Sequence, residues 1–257
     1  MKKEESRFED GTVFEGMTSI RAVIKSLEMG RGRPLHEILV CKSRADKLKK
    51  ELSWLGHMAE KFSFTIRYTD EGEISSLTVG NTHGGIVAIC GEREIPDISK
   101  FEIKDDGFYV MIEGIEDPYN FGYALRSLYA CGVDGVVLSP RNWMSAAGVV
   151  CRSSAGASEI LPLCTSDPIE SVEYFKKRGY KIVCAGIRDS VSSFEADMRN
   201  PIYLIVGGEK RGISSALLEA ADQIVRIDYG REFPLSLSAA SAASMLGYEV
   251  LRANTKK

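Results

Sequence analysis

Histidine is scarce in this 257-residue chain, and His36, His57 and His83 stand far apart with no H-E-x-x-H spacing. The six cysteines, Cys41, Cys90, Cys131, Cys151, Cys164 and Cys184, never form a C-x-x-C pair. Both absences speak against zinc-site and thioredoxin-like patterns, so no protein-bound metal is expected. Most of the cysteines end apolar stretches such as ILVC and IVAIC, where a thiol serves as a small core hydrophobe. No apolar run reaches the roughly 18 residues a membrane-spanning helix needs, and Met1-Lys2-Lys3-Glu4-Glu5 leads into charge instead of a signal-peptide core. A soluble cytoplasmic chain with no membrane partner is the expectation. Neither G-x-x-x-x-G-K-[ST] nor G-x-G-x-x-G occurs, which argues against a P-loop NTPase or a conventional dinucleotide enzyme.

What is present is ordinary globular material, 44% hydrophobic and 27% charged, with a net charge of −3. That charge is unevenly spread. Between Arg21 and Lys50 nine basic residues (Arg21, Lys25, Arg31, Arg33, Lys42, Arg44, Lys47, Lys49 and Lys50) face three acidic ones. A local cluster is enough to attract a polyanion through counterion release. On composition alone, a phosphate-facing surface and a solvated helix face are equally good accounts of it.

The first hundred residues read as a small α/β unit. Ile20, Val23, Ile24 and Leu27 mark one face of a helix ending near Gly30. Strands are predicted at 36–41, 64–68 and 85–90, with a helix capped by Ser43 running to about Lys61. Residues 96–106, with Pro96 and several acids, read as a linker, so the domains are set at 1–95 and 107–257. From Phe108 onward short apolar strands alternate with helices, which predicts an α/β fold with a mostly parallel sheet. Ligands of such sheets bind at the carboxyl ends of strands.

Three stretches at those ends stand out. In the first, 112–138, Asp117 and Pro118 turn the chain, Asn120 is placed to cap a helix, and Arg126 sits in an otherwise apolar helix. The second, LIVGGEKRGIS (204–214), sets two glycines after a buried strand and Glu209 at the loop mouth. The third, 224–252, holds a run from Ser236 to Ser244 in which every residue but Leu237 is Ser or Ala, which permits close approach of a backbone or a flat ligand.

Taken together the three resemble the SpoU (TrmH-like) branch of the SPOUT RNA methyltransferases over nearly the whole chain. DPYNFGYALRSLYACGVDGVVL is similar to the family's first motif, with its Asn at Asn120 and its Arg at Arg126. VGGEKRG resembles the second, with Gly207 and Glu209 in the family positions, and Ile227 to Tyr229 with Pro234 to Ala240 resemble the third. HGGIVA (83–88) is similar to the close of the family's substrate-binding domain, and RSSAGASEILPL to the segment between motifs one and two. Departures fall in motif three, where Asp228 and Tyr229 replace Pro-Met, Pro234 replaces Ser, and Ser236 occupies an Asn position. A hydroxyl there lacks the two-donor amide.

The resemblance implies an S-adenosyl-L-methionine-dependent RNA 2′-O-ribose methyltransferase. Its substrate is expected to be ribosomal RNA, 23S in particular, rather than tRNA, and no DNA partner is expected. It implies a ribosomal-protein-like RNA-binding domain, a trefoil-knotted C-terminal domain and a homodimer formed through that domain. Asn120, Arg126, Glu209 and Ser236 would serve catalysis. Ala185, Gly186, Gly207, Ile227 and Leu235 would hold cofactor, and Arg21, Lys25, Arg31, Arg33, Lys47, Lys49 and Lys50 would contact RNA. A tRNA methyltransferase and a catalytically silent RNA-binding relative are the alternatives, the second raised by Ser236. A nucleotide-dependent metabolic enzyme lacks a phosphate-binding fingerprint.

Overall fold

A computed structural model describes residues 12–78, 83–139, 146–208 and 212–255. The chain opens with β1 (Thr12–Glu15), α1 (Gly16–Glu28), β2 (Leu35–Cys41), α2 (Lys49–Phe62), β3 (Thr65–Thr69), α3 (Glu71–Leu77) and β4 (Ile86–Cys90). Next come β5 (Phe108–Glu113), α4 (Pro118–Ala130), β6 (Gly135–Leu138), α5 (Ala147–Ser153), α6 (Ala157–Ile160), β7 (Leu163–Thr165) and α7 (Pro168–Lys176). The last elements are β8 (Lys181–Ala185), β9 (Val191–Ser192), β10 (Ile202–Gly207), α8 (Ser215–Ala220), β11 (Gln223–Arg226) and α9 (Ala239–Asn254).

These elements form two compact units. The first takes the described residues up to Glu94 and also 146–160, so it is not one continuous stretch. The second starts at Ile95, and the segment expected to be a linker is part of it: Ile98 is buried in its core, with Phe101 and Ile103 packed alongside.

In the first unit a four-stranded sheet has the order β1-β4-β2-β3, with only β2 and β3 parallel. Ile20, Val23 and Ile24 of α1 are buried in its core with Phe14, Ile38 and Leu55. The helix expected from Ser43 begins later, because 42–48 winds as a 3-10 segment and Ser43 Oγ meets Cys41 Sγ at 3.2 Å instead of capping an N–H. The arrival of α5 and α6 explains a second departure. Arg33, expected on an RNA-facing surface, is 2% exposed and forms a two-bond ion pair with Glu159, at 2.9 and 3.1 Å. Its guanidinium also donates to the Gly91 carbonyl and lies 4.7 Å from the centre of the Phe14 ring. A side chain so enclosed cannot present itself to phosphate.

The second unit is built on a seven-stranded sheet ordered β7-β6-β5-β10-β8-β11-β9, parallel at every pairing. Phe108 to Ile112 and Ile202 to Val206 are buried throughout, as strands covered on both faces must be. Phe175 stacks on Tyr203 with ring centres 4.1 Å apart, and Tyr203 shares a 2.8 Å hydrogen bond with Ser171. Burial drives the Cys164 and Cys184 thiols up to about 12. They act as core residues, and five of the six cysteines are buried.

Removing one partner of a buried ion pair costs about 3 to 5 kcal/mol, whereas replacing both with apolar groups is close to neutral. Glu159→Ala is therefore expected to lower unfolding stability in urea by about 3 kcal/mol, and Arg33→Met with Glu159→Leu to recover more than half of it. A single variant within about 1 kcal/mol of the wild type would show that the pair does not hold α6 to the first unit.

Candidate active site at the strand ends

The sheet order reverses direction at β5, with β6 on one side and β10 on the other. At such a switch point the carboxyl ends of adjacent parallel strands leave a crevice. Register places Gly207 opposite Glu113, Ile205 opposite Cys184, and Ala185 opposite Val225. Gly207, Ala185, Gly186 and Ile227 therefore lie at or just beyond the ends of three neighbouring strands, beside the end of β5. The structure brings together these four of the five predicted cofactor residues.

Glycine is required in this loop for contact reasons. A Cβ on Gly207 would stand 2.5 Å from the Gly212 carbonyl carbon, and one on Gly208 would stand 2.3 Å from Gly114 backbone. The loop is held to β5 at both ends by one residue: the Glu113 carbonyl accepts from Gly208 N–H at 2.5 Å, and its carboxylate accepts from Ser214 N–H at 2.9 Å. Sequence reasoning missed Glu113, although a carboxylate directly after a buried apolar run was a usable signal. Glu209 lies outside the described residues.

After β5 the chain turns into α4. Asp117 is the capping residue, accepting from Asn120 N–H at 2.8 Å, with Pro118 in the first turn. The expectation that Asn120 caps this helix is corrected; it lies inside the first turn and is half-buried. Phe121, Ala124, Leu125 and Leu128 bury the opposite face. Arg126 is exposed, on a stripe with Tyr119 and Tyr123, which also reach solvent.

Beyond β11, Asp228 accepts from Arg226 Nε at 2.9 Å and from the Ser192 hydroxyl. The Ser192 bond, followed by Arg226, holds its carboxyl below the usual range. The Tyr229 hydroxyl accepts from Leu237 N–H at 3.3 Å. The last helix was expected from about Leu235 but starts at Ala239, because Ser238 caps it by accepting from Ser241 N–H. Leu235 and Ser236 consequently sit on the exposed loop before it, and neither makes a hydrogen bond among the described residues.

In the first unit, Arg21, Lys25, Arg31, Lys47, Lys49 and Lys50 are exposed. Arg21 lies 5.1 Å from the centre of the Trp54 ring, and Lys49 pairs with Asp46 at 3.2 Å. Among the described residues no group of His, Cys, Asp and Glu is placed to hold a metal, and no helix is long and apolar enough to cross a membrane.

Residues 107–248 match the SpoU rRNA Methylase family. A Staphylococcus saprophyticus protein named for the TrmH family of tRNA/rRNA methyltransferases is 27% identical over 247 residues, covering 93% of this chain and 95% of that protein. The crystal structure of an RNA 2′-O ribose methyltransferase has a TM-score of 0.77 at 24% identity, covering 98% of this chain and 91% of the other. An AdoMet-bound rRNA methyltransferase from Sinorhizobium meliloti has a TM-score of 0.80 at 20% identity, covering 100% and 92%. At these identities the two crystal structures establish likeness of fold.

If Glu113 anchors the 207–214 loop, Glu113→Ala is expected to speed hydrogen exchange at Ser214 N–H by about tenfold, as for loss of a bond to a charged acceptor. Glu113→Gln keeps an acceptor and should fall between. Exchange within twofold of the wild type in the alanine variant would show that something else holds the loop.

Proposed function

Because the chain belongs to the SpoU rRNA Methylase family, we propose that it is an S-adenosylmethionine-dependent RNA 2′-O-ribose methyltransferase acting on ribosomal RNA, 23S in particular. The observation that carries this reading is the convergence of Ala185, Gly186, Gly207 and Ile227 at adjacent parallel strand ends, beside the strand that leads into the Arg126 helix. Gly207 and Gly208 pack against the backbone of Gly212 and Gly114, which leaves main-chain groups in place of side chains at these strand ends and suits a ligand gripped through the main chain. The donor set, without a metal cluster among the described residues, suits an organic cofactor. When bound, S-adenosylmethionine supplies a methyl group on a sulfonium leaving group.

The work left to this chain is positioning, which is worth several kcal/mol of barrier when the reacting atoms are aligned. A guanidinium stays protonated at neutral pH, so Arg126 acts as the cation that orients the target nucleotide and stabilises the 2′ oxygen as its proton leaves. A substrate phosphate or solvent takes that proton. Asn120 and Glu209 hold the hydroxyl and the loop, and Ser236 replaces the family amide on the motif-three loop. Leu235 closes over the cofactor.

A homodimer and a trefoil knot in the second unit belong to the same proposal. Supporting the dimer, Tyr119 and Tyr123 of α4 and Met245 and Tyr248 of α9 are exposed apolar side chains on two helices that pack together. The first unit binds RNA through its exposed basic residues. Lys49 and Lys50 stand in the first turn of α2, where cations oppose the helix dipole. That placement costs helix stability, but it adds two charges to a site that already favours anions. A cytoplasmic location completes the reading.

Transfer of a labelled methyl group to total rRNA, with mapping of the modified ribose, tests the proposal; labelling of tRNA alone would replace the substrate. Arg126→Ala is expected to lower turnover by about a hundredfold or more with S-adenosylhomocysteine affinity unchanged. Retention of more than about a tenth of wild-type turnover would remove Arg126 from its role. Ser236→Ala is expected to lower kcat by roughly three- to a hundredfold, for a bond worth about 0.5 to 3 kcal/mol, and Ser236→Asn to be tolerated. If wild type transfers no methyl group and Ser236→Asn does, the chain is an RNA-binding relative disabled at that residue.

A further inference from the structure

Away from the strand ends, α1 and α2 lie on one side of the first unit's sheet, where Ile20, Val23 and Ile24 of α1 share a core with Leu55 of α2. Two side-chain contacts join their solvent sides: Arg21 lies 5.1 Å from the centre of the Trp54 ring, and Lys61 pairs with Glu28 at 3.4 Å. Arg21 and Glu28 are seven residues apart, as are Trp54 and Lys61, or about two turns of each helix. The helices therefore run side by side in the same direction and present one continuous face. We infer that this face docks the sugar-phosphate backbone of a double-helical RNA segment, held by charge and shape with no base read. The inference rests on the RNA-methyltransferase reading and extends it to the form of RNA that the first unit grips.

Charge is the first observation. The exposed stripe of α1 is Thr18, Arg21, Lys25 and Glu28, at the spacing of one helix face. Beside it α2 sets Lys50, His57 and Lys61, all exposed, around the half-buried Trp54. Four cations thus meet two acids: Glu28, which Lys61 engages, and the half-buried Glu51. Lys25 and Lys50 are in no ion pair among the described residues, so both can displace counterions from a polyanion.

The form of the RNA follows from what the face lacks. Single-stranded RNA is recognised by splaying its bases onto open aromatic rings. The two large rings of these helices are closed to that use. Trp54 packs on the core and lies under Arg21, and Phe62 is half-buried with Lys61 Nζ 5.0 Å from its centre. His57 keeps the one exposed ring of the two helices. Double-stranded RNA, by contrast, is bound through its phosphates, its 2′ hydroxyls and its shape.

Rigid placement is the third observation. Trp54 restrains the Arg21 guanidinium, and Glu28 with Phe62 restrains the Lys61 ammonium, so less rotamer freedom is lost when a phosphate arrives. Lys50 and Lys61 stand eleven residues apart on α2, roughly 16 Å along its axis. Two such rows, on helices anchored in one core, keep a fixed spacing. That suits the regular backbone of a duplex and gives no advantage with a flexible single strand.

The test uses the full chain with a fluorescent RNA duplex of about 16 base pairs, and with one of its strands alone, followed by anisotropy at several salt concentrations. The duplex is expected to bind more tightly than the single strand. Lys25→Ala with Lys50→Ala should weaken duplex binding by about tenfold at physiological salt and lower the magnitude of the salt slope by about 1.8, for two lost phosphate contacts. Lys100→Ala with Lys177→Ala makes the same charge change at exposed sites of the second unit and should leave both as in wild type. Thermal stability and S-adenosylhomocysteine binding should not move in either variant, and His57→Ala should bind duplex like wild type. The inference is overturned if wild type binds no duplex, or if the single strand binds as tightly and loses that affinity in His57→Ala. It is equally overturned if the Lys25 and Lys50 variant keeps the wild-type slope, or if the second-unit variant weakens binding as much. Methyl transfer to rRNA is measured in parallel. Wild-type transfer with an unchanged slope in the Lys25 and Lys50 variant sinks the face alone. The slope change without transfer to any RNA sinks the methyltransferase reading and keeps the face.

Discussion

The parallel pairing of β5 with β10 is the constraint on which the candidate site depends. It joins segments about a hundred residues apart in sequence and sets Gly207 level with Glu113. From that register follow the two bonds by which Glu113 grips the following loop. The approach of Gly208 to Gly114 backbone, with no room for a side chain, follows as well. A slip of one residue would turn each side chain of the strand to the other face. At this strand end the register is pinned by Gly207 and Gly208, where backbone contacts leave no room for the side chains a slip would bring, and the strand-end geometry inherits its precision from them.

The third motif shows how a departure from a family pattern is absorbed locally. Pro-Met would supply a stiff backbone and an apolar side chain at 228 and 229. Here Asp228 joins Arg226 and Ser192, and Tyr229 receives the Leu237 N–H. Directional polar contacts thus perform the bracing that a proline does by restricting φ. The exposed Ser236 lies within the loop so braced, between Tyr229 and the Ser238 cap. Its position is controlled by neighbours even though its own hydroxyl makes no bond among the described residues.

Legibility from sequence followed the strength of the local signal. The long strands of the second unit were readable because unbroken apolar runs such as Phe108 to Ile112 leave little choice but a covered parallel strand. β7 and β9, of three and two residues, carry no period to detect, and β1 was missed for the same reason. Helix starts were misplaced where two polar residues competed to cap, as with Asp117 against Asn120. Gly207, Ala185, Gly186 and Ile227 could be placed at strand ends from the apolar runs that precede them, whereas Glu113 could not be singled out, since its contacts depend on a loop that only the fold brings near. Residues 146–160 join the first unit through Ala147 and Cys151 in its core and through the Arg33–Glu159 pair, formed across 126 positions, and no local pattern encodes either.

Arg33 also shows why charge counting locates a surface without assigning its members. In sequence it is one more cation among nine; in the fold it is enclosed and fully paired, so it adds nothing to the field outside. The exposed cations that remain are not equivalent either. Arg21 rests on Trp54 and Lys49 is partly offset by Asp46, while Lys50 has no pair among the described residues and stands at a helix start. Screening limits such exposed charges to a reach of about 8 Å at physiological salt. Acids on distant parts of this net-negative chain therefore do little to cancel them. What a phosphate meets is set by the nearest few groups, and at the start of α2 those are the exposed Lys47, Lys49 and Lys50.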